Sequence, residues 1–198
     1  MQIKNLLGAL ILATPLMASA SVVNFESAPI SGCQVTLGGS IDGFTLGAYN
    51  GQTGAGFNNA SSCTGLRDSA HSGTQFMLNY NSLYGQFTRN TGDFDLLSLW
   101  VAGDMRAGTT TVRFQGLDNI GGNVLYSMDV VISSAWSHIN FSNWLDVKSF
   151  TWNSINPDVS NIAIDDFEYS TGEVPEPASA VLVGAGLLGL AASRRRKQ

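Results

Sequence analysis

Apolar and polar residues alternate over short runs through most of residues 21–172, and Gly, Asn, Asp and Ser separate the runs. Phe114, for example, lies between Arg113 and Gln115 and faces away from both. A period of two residues is typical of half-buried strands. The candidate strands are Val22–Glu26, Phe44–Leu46, Gln75–Asn79, Phe94–Val101, Thr109–Leu117, Val124–Ile132, His138–Phe141, Val147–Trp152 and Asn161–Tyr169.

Eight or nine short strands with turn residues between them predict an all-β fold, a single antiparallel β-sandwich of jelly-roll type. Both faces of Phe94–Val101 are largely apolar, which predicts a central strand. The Gly- and Asn-rich segment Gly38 to Asn59 is expected to form a long, irregular excursion. No amphipathic helix of useful length is visible in residues 21–172.

The first twenty residues have the pattern of a secretory signal peptide. Lys4 is followed by the apolar run Leu6–Leu16 and then by small residues, with the predicted cleavage by signal peptidase between Ala20 and Ser21. The alternative is a first core helix, but the apolar run is short for a helix and has no polar face. We therefore expect residues 1–20 to be removed on export.

A second apolar segment, residues 178–193, has sixteen residues and no charge. As a helix it would be ~24 Å long, close to the ~30 Å of a hydrocarbon core. Basic residues are retained on the cytoplasmic side of a membrane, so the preceding domain would lie outside. This predicts a carboxy-terminal transmembrane helix in the inner membrane, followed by the basic cluster Arg194, Arg195, Arg196 and Lys197.

The whole tail resembles a PEP-CTERM sorting domain, because Pro175, Glu176 and Pro177 precede the apolar segment and the arginine cluster in that order. Proteins with this domain occur in Gram-negative bacteria that make extracellular polysaccharide, and an exosortase recognises the Pro-Glu-Pro motif. With the signal peptide 1–20, the resemblance divides the chain into a central domain 21–172 and a sorting region 173–198. It also implies transient anchoring in the inner membrane, and then release to the cell surface or the medium.

The charge of the central domain disfavours one class of partner. Of the chain's 15 acidic residues, all but Glu173 and Glu176 lie between Ser21 and Gly172, against five basic residues, so this segment has a net charge of −8. Phosphate backbones would repel such a domain, which excludes nucleic acid as a favoured ligand. The balance suits cations or neutral polar partners.

Cys33 and Cys63 are the two cysteines of the chain, and both follow the signal peptide. An oxidising compartment favours a disulfide between them. Closing a loop of about thirty residues would stabilise the fold by roughly 3–4 kcal/mol in the chain-entropy estimate. A metal site is the alternative, but neither cysteine has a Cys or His at ligand spacing.

Acidic residues near both ends of the domain suggest a cation site. Phe25 and Glu26 in the first predicted strand, with Asp165 and Asp166 in the last, resemble the paired end strands of jelly-roll carbohydrate-binding modules. In many such modules a structural calcium is held by the early Glu and one late Asp, so the resemblance implies calcium at Glu26 with Asp165 or Asp166.

The two adjacent carboxylates at Asp165 and Asp166 also suggest a cation site on chemical grounds. Adjacent carboxylates repel each other, and a hard cation with oxygen ligands relieves that repulsion. Because side chains alternate along a regular strand, Asp165 and Asp166 would not both face one ion, and one of them would be solvated. The alternative is a pair of solvent-facing acids at a strand end.

Aromatic and polar residues near His138 form a candidate sugar site. If Ile139 and Phe141 are core, the outward face carries Trp136, His138 and Asn140, joined by Trp144. Sugar rings are gripped by stacking on aromatic rings together with hydrogen bonds. The alternative is that Trp136 and Trp144 cover the sandwich edge.

No catalytic motif stands out. The chain has no Gly-x-Ser-x-Gly elbow, no His-Glu-x-x-His and no P-loop, and His71 lies in a loop and is expected to be an exposed bystander. We therefore expect a non-enzymatic envelope or extracellular-matrix protein that binds exopolysaccharide. The alternatives are a secreted glycan hydrolase with unassigned carboxylates, and a structural biofilm component or adhesin with no small ligand.

Overall fold

Two antiparallel β-sheets pack face to face in a computed structural model, which describes residues 19–28, 30, 36–37, 39–47, 55–60, 69–79, 84–103, 108–155 and 161–171. Within these ranges the chain forms thirteen strands. They are β1 Ser21–Val23, β2 Thr36–Leu37, β3 Gly39–Ile41, β4 Phe44–Gly47, β5 Ala55–Asn59, β6 Gln75–Asn79, β7 Gly85–Arg89, β8 Phe94–Gly103, β9 Thr110–Leu117, β10 Val124–Ile132, β11 Ser137–Val147, β12 Ser149–Ser154 and β13 Ile162–Ser170.

The strand order places distant parts of the chain side by side. The first sheet runs β11-β8-β13-β6-β5-β2, and β1 also pairs with β13. The second sheet runs β10-β9-β12-β7-β4-β3. Side chains alternate between the two faces of a strand as the sequence predicts. In β12, Phe150 and Trp152 belong to the core cluster, while Ser149 and Thr151 lie on the opposite face of the strand.

Phe167 of β13 is at the centre of the core. Its ring meets those of Phe44, Phe87 and Phe150 from the second sheet, at centroid distances of 5.5, 5.3 and 5.7 Å. All four side chains are fully buried. Burying a large apolar side chain is worth roughly 1.5–3 kcal/mol, so this aromatic cluster is a principal source of stability.

β6 and β1 both pair with the same edge of β13, and this brings the segment after β1 close to the segment before β6. β6 pairs with Ile162–Ile164, and β1 pairs with Phe167–Tyr169. The residues that follow β1 and those that precede β6 therefore meet beside residues 165 and 166 of β13.

The predicted all-β antiparallel sandwich is confirmed, and β8 is central, between β11 and β13. The expectation of an irregular excursion over residues 38–59 is wrong, because β3, β4 and β5 lie there and pair with other strands. Hydrogen bonding to neighbouring strands outweighs the weak strand propensity of Gly and Asn.

Several predicted features lie outside the described residues: the signal peptide up to Ala18, Cys33, Cys63, and the sorting region from residue 173 onward, including the segment 178–193. Within the described ranges, no helix has the length and apolarity needed to span a bilayer.

Candidate functional site

Glu26 holds the segment that enters β6. One of its carboxylate oxygens accepts hydrogen bonds from the backbone amides of Thr74 (2.8 Å) and Gln75 (2.7 Å). The other accepts from the Thr74 hydroxyl at 3.1 Å. The Gln75 side-chain amide returns a bond of 3.2 Å to the Glu26 carbonyl. The first strand and the β6 entry are thus tied together beside β13.

Asp165 and Asp166 hold the same segment three residues earlier. One Asp165 oxygen accepts from the amides of His71 (2.9 Å) and Ser72 (3.0 Å). The two Asp166 oxygens accept from His71 Nδ1 and from the Ser72 hydroxyl, both at 2.7 Å. All three predicted calcium residues therefore converge on residues 71–75, which we call the clamped segment.

A β-bulge lets both aspartates face the same way. Asp166 has a φ of +43°, and the register of β13 against β8 shifts between Asp165 and Glu168. The extra residue places Ile164 and Phe167 in the core, with both aspartates between them on the outer side. The expectation that alternation keeps Asp165 and Asp166 on opposite faces is therefore wrong, because it assumed a regular strand.

The carboxyl of Asp165 has a perturbed acidity. Burial raises the pKa of Asp165 to about 7. The backbone amides of Ser72, Asp166 and His71 favour the ionised form and lower the pKa, and the neighbouring Asp166 charge raises it. The side chain is fully buried. Desolvation is the larger effect, so this carboxyl takes up a proton near neutral pH.

The carboxylate oxygens of Glu26, Asp165 and Asp166 already accept hydrogen bonds, which limits how well a cation would fit between them. N–H and O–H groups of the clamped segment point at the carboxylates, where a calcium ion would need to bind. Among the described residues, no three His, Cys, Asp or Glu side chains form a group that could hold a metal. Calcium at Glu26, Asp165 and Asp166 stays a prediction.

An aromatic cluster lies next to the clamped segment on the outer face of the first sheet. The His71 ring stacks on Trp100 with centroids 3.7 Å apart, and His138 lies 5.0 Å from Trp100 on the neighbouring strand. Trp136 meets His71 edge-on at 6.0 Å and donates from Nε1 to the Ser69 carbonyl. His71 is therefore part of the cluster, not a bystander.

The predicted sugar-binding residues divide between this face and the core. His138 and Asn140 are exposed and Trp136 is half-buried on the outer face, as their alternation with Phe141 predicts. Trp144 is instead buried in the core, 7% exposed, where it packs on Phe141 at 4.7 Å. The register of β11 shifts on both sides of Trp144, and these bulges reverse its face. Sugar binding by this face stays a prediction.

Polar side chains on the outer face of the second sheet line a cavity of about 460 Å³, which we call the polar groove. Its volume lies within the ~300–1,000 Å³ usual for small-molecule sites. Strands β4 and β7, the β9–β10 loop and the start of β12 meet there. The lining residues are Thr45, Gly47, Gln86, Thr88, Arg89, Asn90, Ile120 and Lys148.

Hydrogen bonds between side chains fix the groove in place. Gln86 donates to the Ser149 hydroxyl at 2.6 Å, and that hydroxyl lies 2.9 Å from the Thr88 hydroxyl. Thr45 donates to the Asn90 side-chain oxygen at 2.7 Å. The floor is thus preorganised before any ligand arrives. This site was not predicted from the sequence, because its residues lie on four separate segments. The one available signal was the polar face of β12.

Comparison with known proteins identifies the tail and the fold. Residues 173–197 match the PEP-CTERM protein-sorting motif. The fold is similar to the K2 cleaved adhesin domain of Lys-gingipain, with a TM-score of 0.54 and 12% identity over 76% of this chain and 99% of that one. The K1 cleaved adhesin domain of Lys-gingipain from Porphyromonas gingivalis W83 has a TM-score of 0.52 and 11% identity over 78% and 99%.

Carbohydrate-binding modules are also among the similar structures. A family 11 module from Clostridium thermocellum, in complex with a β-1,3-1,4-mixed-linked tetrasaccharide, has a TM-score of 0.45 and 11% identity over 79% of this chain and 98% of that one. No curated protein matches the chain. The sorting motif makes the chain an exported protein that is anchored in a membrane before processing.

Proposed function

We propose that this exported PEP-CTERM protein is a non-catalytic module of the bacterial envelope that binds exopolysaccharide in the polar groove. The groove itself is the observation that supports this role most directly. It offers hydroxyl and amide groups held in place by their neighbours, beside the exposed apolar side chain of Ile120.

The chemistry of the groove suits a sugar. The side chains of Thr45 and Asn90 carry groups that donate and accept hydrogen bonds, and a sugar ring presents hydroxyls that do both. Ile120, 64% exposed at the rim, offers apolar surface to the C–H face of a ring. A preformed polar floor with an apolar rim favours a hydrophilic polymer such as a polysaccharide over an apolar ligand.

The processing steps complete the proposal. Signal peptidase would cut between Ala20 and Ser21, and residues 178–193 would anchor the precursor in the inner membrane. An exosortase would then act at the Pro-Glu-Pro motif and deliver the domain to the cell surface or the medium.

Binding is tested with the processed protein purified from an exosortase-containing host, on a glycan array and by calorimetry. Ile120→Asp places a charge on the groove rim and should weaken binding at least tenfold. Val131→Asp is the matched control, since Val131 is 68% exposed and does not line the groove. His138→Ala tests the aromatic face in the same assay.

Each outcome has a definite meaning. Weakening by Ile120→Asp alone supports the groove, whereas weakening by His138→Ala alone moves the site to the aromatic face. Release of reducing sugar from a bound glycan favours the hydrolase alternative. Neither binding nor turnover favours a structural adhesin without a small ligand.

A further inference from the structure

The cations of the domain are distributed unevenly. Three basic residues lie in the described ranges: Arg89, Arg113 and Lys148. Arg113 is neutralised by a bidentate ion pair with Asp129, with distances of 2.8 and 2.7 Å. The other two both line the polar groove and form no ion pair with any described Asp or Glu. Of the three described cations, the two that lack a carboxylate partner are thus found together, in a segment of net charge −8.

Lys148 is held with its charge unneutralised. Its ammonium donates one hydrogen bond of 2.8 Å to the Gly92 carbonyl, a neutral acceptor. An ammonium has three N–H donors, so two remain for water or a ligand. The bond to Gly92 fixes the ammonium at the groove without cancelling its charge.

Arg89 borders the groove, but its charged group lies elsewhere. Its guanidinium lies over the rings of Phe44 and Tyr169, 5.3 and 5.2 Å from their centroids, and Nε donates to the Thr91 carbonyl at 3.1 Å. Nη1 is buried without a hydrogen-bond acceptor. Phe44 and Tyr169 are buried, and Phe44 pairs with Arg89 across the sheet, so the guanidinium lies on the inner face of β7. Lys148 is therefore the cation that the groove presents to a ligand.

The described lining of the groove contains no Asp or Glu that would offset the charge of Lys148. A neutral sugar would gain only the hydrogen bonds of the floor. A sugar carboxylate would gain these and also a charge-assisted hydrogen bond from Lys148, which is the stronger kind.

We propose that the polar groove selects an acidic polysaccharide, with a sugar carboxylate placed against the Lys148 ammonium. This inference rests on the proposed function, because it concerns the ligand of the same groove. A domain that is anionic elsewhere would then take its acidic polymer through this one face.

The test compares polymers that differ only in charge: polygalacturonate, alginate and hyaluronate, each beside its carboxyl-reduced form. Calorimetry with the processed protein at 50 mM salt should show roughly tenfold tighter binding of an acidic form than of its reduced form, the effect of one hydrogen bond to a charged group. At 500 mM salt the preference should shrink, because screening shortens the range of the Lys148 charge.

Lys148→Gln should abolish the preference for the acidic form and leave binding of the reduced form within twofold. Arg113→Gln removes the same charge outside the groove and should retain the preference. Equal binding of both forms would overturn this inference and leave the proposed function standing. Equal loss in the two variants would also overturn it, since the effect would then be general charge. Failure to bind either form of all three polymers would contradict both proposals.

Discussion

The carboxylate of Asp166 lies 2.7 Å from Nδ1 of His71, ninety-five positions earlier in the chain. Its neighbour Asp165 accepts the backbone amide of the same histidine at 2.9 Å. Two adjacent residues of one strand can grip one loop in this way because the bulge at Asp166 removes the usual alternation. The stability of the clamped segment is therefore linked to the ionisation of a buried carboxyl.

The raised pKa of Asp165 predicts that stability falls as the pH rises. Between pH 4 and 7 the folded protein holds a proton on Asp165 that the unfolded chain, with a pKa near 3.8, has released. Folding therefore takes up a proton in this window, and the free energy of unfolding decreases with pH until about pH 7. The total change is at most about 4 kcal/mol. Urea unfolding in chelator at pH 4.5, 6 and 7.5 measures it.

Asp165→Asn is the control for this prediction. Its amide oxygen can still accept from His71 and Ser72, but it has no proton to gain. From pH 4.5 to 7.5 the wild type should lose the stability that comes from the Asp165 proton, and the variant should not. The stability of the variant relative to the wild type should therefore increase over this range. A difference that is constant over this range would contradict the buried, proton-binding state of Asp165.

Strands that are defined by the pattern of residues next to one another in the sequence could be predicted. Gln75–Asn79 and Val124–Ile132 are strands with the predicted bounds. Alternation and β-branched residues define Val124–Ile132, and a short apolar run between polar residues defines Gln75–Asn79. The convergence of Glu26 with Asp165 and Asp166 was also expected, through the resemblance of the end strands to carbohydrate-binding modules.

Features that depend on pairing between distant segments could not be predicted. The positive φ at Asp166 and the shifts around Trp144 arise where one strand carries an extra residue against its partner. The strand β7, Gly85–Arg89, has little apolar alternation, yet it supplies the floor of the polar groove. Its place was set by β4 and β12 on either side, which a local pattern does not show.

Gly85 lies beneath the indole of Trp152, and this contact predicts a destabilising substitution. A Cβ at position 85 would overlap the buried Trp152 ring, which is itself packed on Phe150 at 5.7 Å. Gly85→Ala should lower the free energy of unfolding by about 1–3 kcal/mol, the usual cost of overpacking. Chemical denaturation with Trp fluorescence measures the loss.

Gly108→Ala is the matched control, because a Cβ there meets no atom within 4 Å. Its stability should differ from the wild type by less than about 0.5 kcal/mol. Equal effects of the two substitutions would show that Trp152 does not occupy the space above Gly85.

Calcium binding at Glu26 with Asp165 or Asp166 predicts a higher melting temperature in calcium than in chelator. At a hundred times its dissociation constant, a ligand stabilises a fold by about 2.7 kcal/mol, or roughly 5–10 °C for a domain of this size. Glu26→Gln keeps an oxygen acceptor for Thr74 and Gln75 but removes a charged ligand, and it should abolish the rise. Identical melting curves in calcium and chelator would show that hydrogen bonds alone hold the clamped segment.

The sorting motif predicts a specific processing defect. Changing Pro175, Glu176 and Pro177 to Ala leaves the apolar segment and the arginines intact, so the precursor should still reach the inner membrane. It should then accumulate there with its tail attached, as the wild type does in a host without exosortase. Fractionation and mass spectrometry of the carboxy terminus follow both forms. Glu173→Gln changes a residue within the matched region but outside Pro-Glu-Pro, and its processing should be normal. If the triple variant lost its tail as fast as the wild type, recognition would have to reside in the apolar segment or in the arginines, because these are the parts of the tail that the substitution leaves unchanged.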